Sequence, residues 1–98
     1  MFAVIYKFEI KEGLEEEFHK HWKIMTFEFR DHHGGLGSCL HKTDDGIYIA
    51  YAKWPTRELW EKKKEIINRD SLARMSNCLN KSHPAMPLEI LDNLLIKI

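Results

Sequence analysis

Residues 47–54 constrain the fold more than any other segment, because their sequence, IYIAYAKW, is apolar at nearly every position. They follow Asp44-Asp45-Gly46, and Asp-Gly tolerates the positive φ angles of a tight hairpin turn. A strand that is apolar on both faces has to be covered on both faces. Helices of the same chain can cover one face, and the simplest cover for the other is a second copy of the chain.

Three further segments have the pattern of strands. Residues 2–10 alternate, so five apolar side chains fall on one face: Phe2, Val4, Tyr6, Phe8 and Ile10. Residues 36–43 lead into the Asp-Gly turn and therefore predict the hairpin partner of residues 47–54. Residues 88–98 alternate again and predict a closing strand.

Two segments change to the helical period. Residues 14–31 carry an apolar stripe with steps of four, four, three and four: Leu14, Phe18, Trp22, Met25 and Phe29. A second helix opens at Pro55-Thr56, where Thr56 is suited to the N-cap. This helix is predicted to break or restart around residues 68–71, and residues 81–87, with two prolines, are predicted to be a loop.

The order of these elements is β-α-β-β-α-β. It predicts an α+β, ferredoxin-like fold, with a four-stranded antiparallel sheet and both helices on one face. A chain of 98 residues is too short for two independent cores, so residues 1–98 are expected to form a single domain.

Composition excludes several functional classes. Fifteen Lys and Arg balance fifteen Asp and Glu, which leaves no net field to attract nucleic acid or an anionic membrane. The run Lys62-Lys63-Lys64 stands among glutamates and is interpreted as a solvated helix face. Cys39 and Cys78 have no metal-binding or disulfide spacing. With no signal-peptide pattern and no long apolar run, a soluble cytoplasmic protein is expected.

Four stretches together resemble a known family: the aromatic first strand, HWKIMTFEFR, GGLGSCLH and DGIYIAYAKWPTRELWE. They are similar to the antibiotic biosynthesis monooxygenase domain of the dimeric α+β barrel superfamily, over roughly residues 1–80. The resemblance implies a homodimer whose sheets pack face to face. It also implies a cofactor-free monooxygenase that oxidises a small phenolic, anthrone or quinol-type compound with dioxygen. The alternative is a non-catalytic dimeric module that binds a small ligand or acts as a sensor.

Such an oxygenase needs an apolar pocket, a proton acceptor and a donor that stabilises an anion. His41 is the candidate base, Arg74 could hold an anionic intermediate, and Asn77 could donate to a carbonyl. Aromatic side chains at such spacings are more often core packing, which is the alternative interpretation of the candidates for the pocket wall. They are Tyr51, Trp54, Trp60, Trp22 and Phe18.

Haem and metals are not expected. The haem-degrading branch of the family is expected to have an Asn on the first strand and a late helical His, whereas this chain has Tyr6 on the strand and His83 in a predicted loop. The His-x-His and His-His pairs of the first helix do not place two imidazoles on one helix face. The sequence therefore predicts no cofactor and no metal site.

Overall fold

A computed structural model describes residues 1–96 and shows an α+β fold with an antiparallel sheet. The strands are β1 (Phe2–Ile10), β2 (Ser38–Lys42), β3 (Tyr48–Trp54), β4 (Leu79–Lys81) and β5 (Met86–Glu89). The helices are α1 (Glu15–His32), α2 (Arg57–Glu61) and α3 (Arg69–Asn77). No helix in this part of the chain is long and apolar enough to cross a membrane.

Strand β1 is the centre of the sheet. It pairs with β3 along one edge, and β3 pairs in turn with β2 through the predicted hairpin. The other edge of β1 is shared, because β5 pairs with its beginning and β4 with its end. All of these pairs are antiparallel, which confirms the predicted ferredoxin-like class, although the sheet has five strands rather than four and is not closed.

The alternation of β1 separates the sheet into two faces. Phe2, Val4 and Trp54 form the core on one face. The helices pack on this face, which we call the helix face: Phe18 of α1 contacts Phe8, and Trp60 of α2 contacts Phe2. The opposite side, which we call the open face, carries the cross-strand pairs Ala3–Lys53, Ile5–Tyr51 and Lys7–Ile49.

Helix α1 follows its predicted stripe and lies within one residue of the predicted bounds. Its first turn carries three glutamates and its last turn Arg30 and His32, as the helix dipole favours. Phe18 and Met25 of the stripe are buried. The same side of the helix also buries two polar residues, His21 and Glu28, which the apolar pattern did not predict.

The second predicted helix is shorter than expected. Thr56 is its N-cap as predicted, and Thr56 Oγ1 accepts a hydrogen bond of 3.2 Å from the Leu59 amide. The helix ends at Glu61, and α3 starts at Arg69, near the predicted restart. The Glu28 carboxylate accepts hydrogen bonds from the backbone amides of Ile67 and Asn68, at 2.9 and 2.7 Å, and so holds the intervening segment in a non-helical path.

The prediction of a closing strand over residues 88–98 is wrong. Strand β5 begins inside the predicted loop and ends at Glu89, which pairs with Phe2. The Ile90 amide donates to the Met1 carbonyl, at 3.3 Å, one position beyond the last strand pair, Phe2 with Glu89. Residues 90–96 therefore form no strand, and the last two residues of the prediction, 97 and 98, lie outside the described residues.

Candidate functional site

A cavity of about 420 Å³ lies between the helix face of the sheet and the three helices. This volume is in the range that holds a small-molecule ligand. The walls are mostly aromatic and aliphatic, and the principal ones are Tyr6, Phe8, Trp22, Met25, Phe29, Trp54, Trp60, Leu72 and Met75. The lining residues with polar side chains are Tyr6, Thr26, Ser38, Lys53, Trp60, Lys64 and Ser76.

Tyr6 and Trp60 form the main polar contact of the cavity. Trp60 Nε1 donates a hydrogen bond of 2.9 Å to Tyr6 Oη. Burial raises the pKa of Tyr6 above its ordinary 10.0, although the hydrogen bond from Trp60 lowers it in part. The phenol is therefore protonated at neutral pH, and its own hydrogen has no acceptor among residues 1–96. That hydrogen is free to be donated to a ligand oxygen.

Ser38, the first residue of β2, adds a second hydroxyl to the wall. Ser38 Oγ is buried and has no hydrogen-bond partner among the described residues. Buried hydroxyls in folded proteins nearly always have a partner, because an unpaired one costs about 1–3 kcal/mol. A ligand oxygen or a water molecule in the cavity would provide that partner.

Lys64 places a positive charge in the wall. Its Nζ donates to the backbone carbonyls of Leu59, Trp60 and Lys62, at 3.0, 2.7 and 2.8 Å. Three carbonyl acceptors require three N–H donors, so this geometry fits the ammonium form. The ammonium also lies 4.8 Å from the centroid of the Trp54 ring. Burial, and then the charge of Lys62, lower the pKa of Lys64.

A buried carboxylate fixes the segment that carries Lys64. Glu28 is 2% exposed and accepts hydrogen bonds from His33 Nε2, the Ile67 amide and both nitrogens of Asn68, at 2.7–2.9 Å. Burial by itself would raise the pKa of Glu28, but these donors together lower it to about 2. The charged carboxylate thus anchors the connection between α2 and α3 to α1.

The cavity has no general base of the usual kind. No histidine, aspartate or glutamate lines it within the described part of the chain. Nor does any group of three or more histidine, cysteine, aspartate or glutamate residues in this part of the chain form a possible metal site. The arrangement can therefore donate hydrogen bonds to an oxyanion and stabilise negative charge, whereas the uptake of a proton needs water or the ligand itself.

Three of the five predicted wall residues line this cavity, namely Trp22, Trp54 and Trp60. Phe18 does not, because it is fully buried between Phe8 and Tyr48, at centroid distances of 4.9 and 5.8 Å.

Tyr51 lies on the open face, opposite Ile5 and Cys39, so the predicted wall shared by Tyr51 and Trp60 is not formed. Strand alternation predicts this outcome. Residues 51 and 54 are three positions apart on one strand, so Tyr51 and Trp54 point to opposite faces of the sheet and cannot both line the same cavity.

The three predicted catalytic residues also lie away from the cavity. His41 is on the open face, where its Nδ1 contacts the Ile49 carbonyl at 3.0 Å. Arg74 is exposed on α3 and pairs with Asp70 at 2.9 Å, and Asn77 is exposed at the end of that helix. The structure does not bring these residues together, and their catalytic roles stay predictions.

The polar residues that do line the cavity were not predicted. Tyr6 could have been found as the one phenol among the inward positions of the first strand. Lys64 was assigned to a solvated face, yet it is half-buried while Lys62 and Lys63 are exposed. The spacing of four residues between Trp60 and Lys64 is a weak indication that both side chains lie on the same side of a helix. We find no feature of the sequence that predicts Ser38 as a lining residue.

The sequence matches no protein-family profile and no curated protein. Solved structures share its fold at low sequence identity. A Bordetella bronchiseptica protein provisionally named an antibiotic biosynthesis monooxygenase is 14% identical with a TM-score of 0.78, covering 92% of this chain and 96% of its own. A Nitrosomonas europaea protein with the same provisional name is 14% identical, with a TM-score of 0.77 and coverage of 94% and 100%.

The Mycobacterium tuberculosis protein Rv0793 is 17% identical, with a TM-score of 0.77 and coverage of 96% of this chain and 98% of its own. These values confirm, at the level of the fold, the resemblance predicted from the sequence. At such identities they do not extend to a substrate or a reaction.

Proposed function

We propose that the protein is a cofactor-free monooxygenase that binds a small planar phenol, quinol or anthrone in this cavity and oxidises it with dioxygen. The observation that carries the proposal is the hydrogen bond from Trp60 to Tyr6. This bond fixes the Tyr6 phenol in an aromatic cavity and leaves the phenolic hydrogen unused. That hydrogen is the donor that a developing oxyanion requires. The shared fold with proteins named antibiotic biosynthesis monooxygenases supports the same reading.

The chemistry can be written for an anthrone without a metal or a flavin. The CH₂ group between the two rings loses a proton, and Tyr6 donates its hydrogen bond to the resulting enolate oxygen. The carbanion transfers electrons to dioxygen, a C–O bond forms, and the hydroperoxide loses water to leave a ketone. One oxygen atom enters the product and the other leaves as water, so the substrate supplies every electron.

Proton removal in this scheme depends on the substrate. Since no imidazole or carboxylate lines the cavity within residues 1–96, the substrate has to ionise by losing its proton to water. Anthrones and quinols are acidic enough to do so when an apolar site with a fixed donor stabilises the anion. The rate is therefore expected to rise with pH until the bound substrate is ionised.

We also propose that the protein works as a homodimer joined through the open face. Ile5, Ile49 and Tyr51 are half-buried and give this face an apolar surface that none of the helix contacts described above reaches. The end of the described chain also exposes four large apolar side chains by 77–89%: Leu91, Leu94, Leu95 and Ile96. Exposed apolar surface of this extent is typical of an interaction site.

A second candidate is a dimeric module that binds the same kind of ligand without reaction. It is favoured by one observation, that the lining residues within the described chain include hydroxyls and lysines but no imidazole or carboxylate. Both candidates share the cavity and the dimer, and they differ in whether oxygen is consumed.

Oxygen uptake with a panel of reduced quinols and anthrones separates these candidates. The monooxygenase predicts uptake above the spontaneous rate and one product molecule for each dioxygen. Binding of the same compounds without uptake would support the binding module, whereas neither binding nor uptake would contradict both. Haem with a reductant forms a separate arm, in which no turnover is expected.

A further inference from the structure

We infer that the cavity selects an aromatic anion, a compound whose ring carries a carboxylate or a phenolate, and that Lys64 determines this selection. The inference rests on the proposed function, since it concerns the ligand of the same cavity. It goes beyond that function because a neutral quinol or anthrone would satisfy the oxygenase chemistry equally well.

The charge of Lys64 has no counter-ion in the part of the chain that the structure describes. Its ammonium is half-buried, and none of the ion pairs among residues 1–96 includes it. Lys62 is also positively charged, and its repulsion adds to the effect of burial in lowering the pKa of Lys64. A partly buried charge without an opposite charge is unfavourable unless something else compensates it. The three carbonyls and the Trp54 ring do so in part, and an anion in the cavity would complete the compensation.

Lys64 would act on the anion through its field. All three of its N–H groups are already donated to carbonyl oxygens. Direct hydrogen bonds would come instead from two of the hydroxyls of the wall, Ser38 and Tyr6, neither of which has an acceptor for its hydrogen in the described part of the chain. Among the described residues the wall thus offers donors and the charge of Lys64, and no charged acceptor, which is complementary to an oxyanion and not to a cation. The other lysine of the lining, Lys53, has its side chain on the open face by strand alternation.

The position of the charge is fixed by the fold. The carbonyls that hold the ammonium belong to the end of α2, so the lysine also caps that helix, as cations do at helix C-termini. Three hydrogen bonds to Glu28 anchor the connection that follows, from α2 to α3. A helix cap alone, however, would not require the side chain to line a cavity.

A pair of isosteric probes tests the inference. 2-Naphthoic acid is an anion at pH 7, and 2-naphthamide is its neutral counterpart. Isothermal titration at low salt should show the acid binding about tenfold more tightly than the amide to the wild-type protein, as expected for a partly buried charge pair. The variant Lys64→Met should lose this preference while its affinity for the amide stays within about twofold.

Two further variants keep the result interpretable. Lys64→Arg retains the charge and should retain a preference for the acid, even if the helix cap is weakened. Lys63→Met removes an exposed neighbouring charge and should leave the preference unchanged. Equal loss of preference in both methionine variants would overturn the role of Lys64, since it would indicate a general surface field.

The failure of this inference differs from the failure of the proposed function. Equal binding of acid and amide by the wild-type protein would overturn the selection of anions and leave oxygen uptake with neutral quinols as it was. Binding of neither probe would overturn both, since the cavity would not be an aromatic binding site.

Discussion

Two side chains from distant parts of the sequence give the cavity its polarity. Tyr6 is on the first strand and Trp60 is 54 positions later, yet they share one hydrogen bond. Alternation predicts that Tyr6 points inward, but it cannot predict which indole meets the phenol. The role of Lys64 could not be predicted from the sequence either, because a lysine in a charged run is normally solvated. Its ammonium finds three carbonyl acceptors only because α2 ends beside it.

The substitution Trp60→Phe should raise the pKa of Tyr6 further. The indole N–H stabilises the phenolate as well as the phenol, and its removal leaves burial as the main influence. Alkaline titration followed by tyrosine absorbance measures the change, with Tyr6→Phe identifying the transition that belongs to this residue. Trp22→Phe is a matched control, since Trp22 also lines the cavity but has no hydrogen bond to Tyr6. A lower or unchanged pKa in Trp60→Phe would contradict the assigned bond.

At the scale of elements, the hairpin, the first helix and the first strand follow their patterns, because each pattern is local. The failures involve contacts that are not local. The closing strand ends at Glu89 because its partner strand begins at Phe2. The second helix is divided where the buried Glu28 binds the backbone of a segment about 40 residues away. For the two predicted aromatics on a strand, Tyr51 and Trp54, the position along the strand decided which face each one reached.

Glu28 makes the stability of the connection between α2 and α3 sensitive to acid. Its pKa is about 2 in the folded protein and 4.5 ordinarily, so the unfolded chain binds the proton more readily. The stabilisation is therefore complete above about pH 5, and it is lost as the pH falls towards 2. Urea unfolding should show that Glu28→Gln costs about 3 kcal/mol at pH 7 and much less near pH 2.

The exposed Glu12 is the control for this experiment, and Glu12→Gln should change the free energy of unfolding by less than about 0.5 kcal/mol. An equal loss for Glu28→Gln at pH 7 and pH 2 would show that the carboxylate charge is not what holds the segment.

Thr56 tests how far α2 depends on its cap. Thr56→Ala removes the acceptor for the Leu59 amide and should cost about 1 kcal/mol, whereas Thr56→Ser keeps the hydroxyl and should cost less. The measurement is urea unfolding of both variants. Equal loss in the two would mean that the methyl group of Thr56, rather than its hydrogen bond, contributes the stability.

At the scale of the whole molecule, the apolar open face and the exposed end of the chain are the features that a single copy leaves unexplained. The first of them could be predicted from residues 47–54, which are apolar on both sides. The second could not, because residues 90–96 have a strand-like sequence but no neighbouring strand within the described chain.

The proposed dimer predicts a solution mass of twice 11.7 kDa. Light scattering after size exclusion should give this mass for the wild-type protein and a single-chain mass for Ile5→Asp, which puts a charge in the centre of the open face. Arg74→Ala, on the exposed side of α3, is the control and should leave the dimer intact. A wild-type protein that stays monomeric at tens of micromolar would contradict this account of the open face.

The most direct test of the central claim is the rate of oxygen uptake with an anthrone in the variant Tyr6→Phe. The ring and its packing are kept, and only the free phenolic hydrogen is removed. Loss of one oxyanion donor should reduce the catalysed rate about a hundredfold or more. Tyr48→Phe, at an aromatic position packed against Phe18, should keep the wild-type rate. Equal rates in the wild type and Tyr6→Phe would contradict the account, because the cavity would then not act through its phenol.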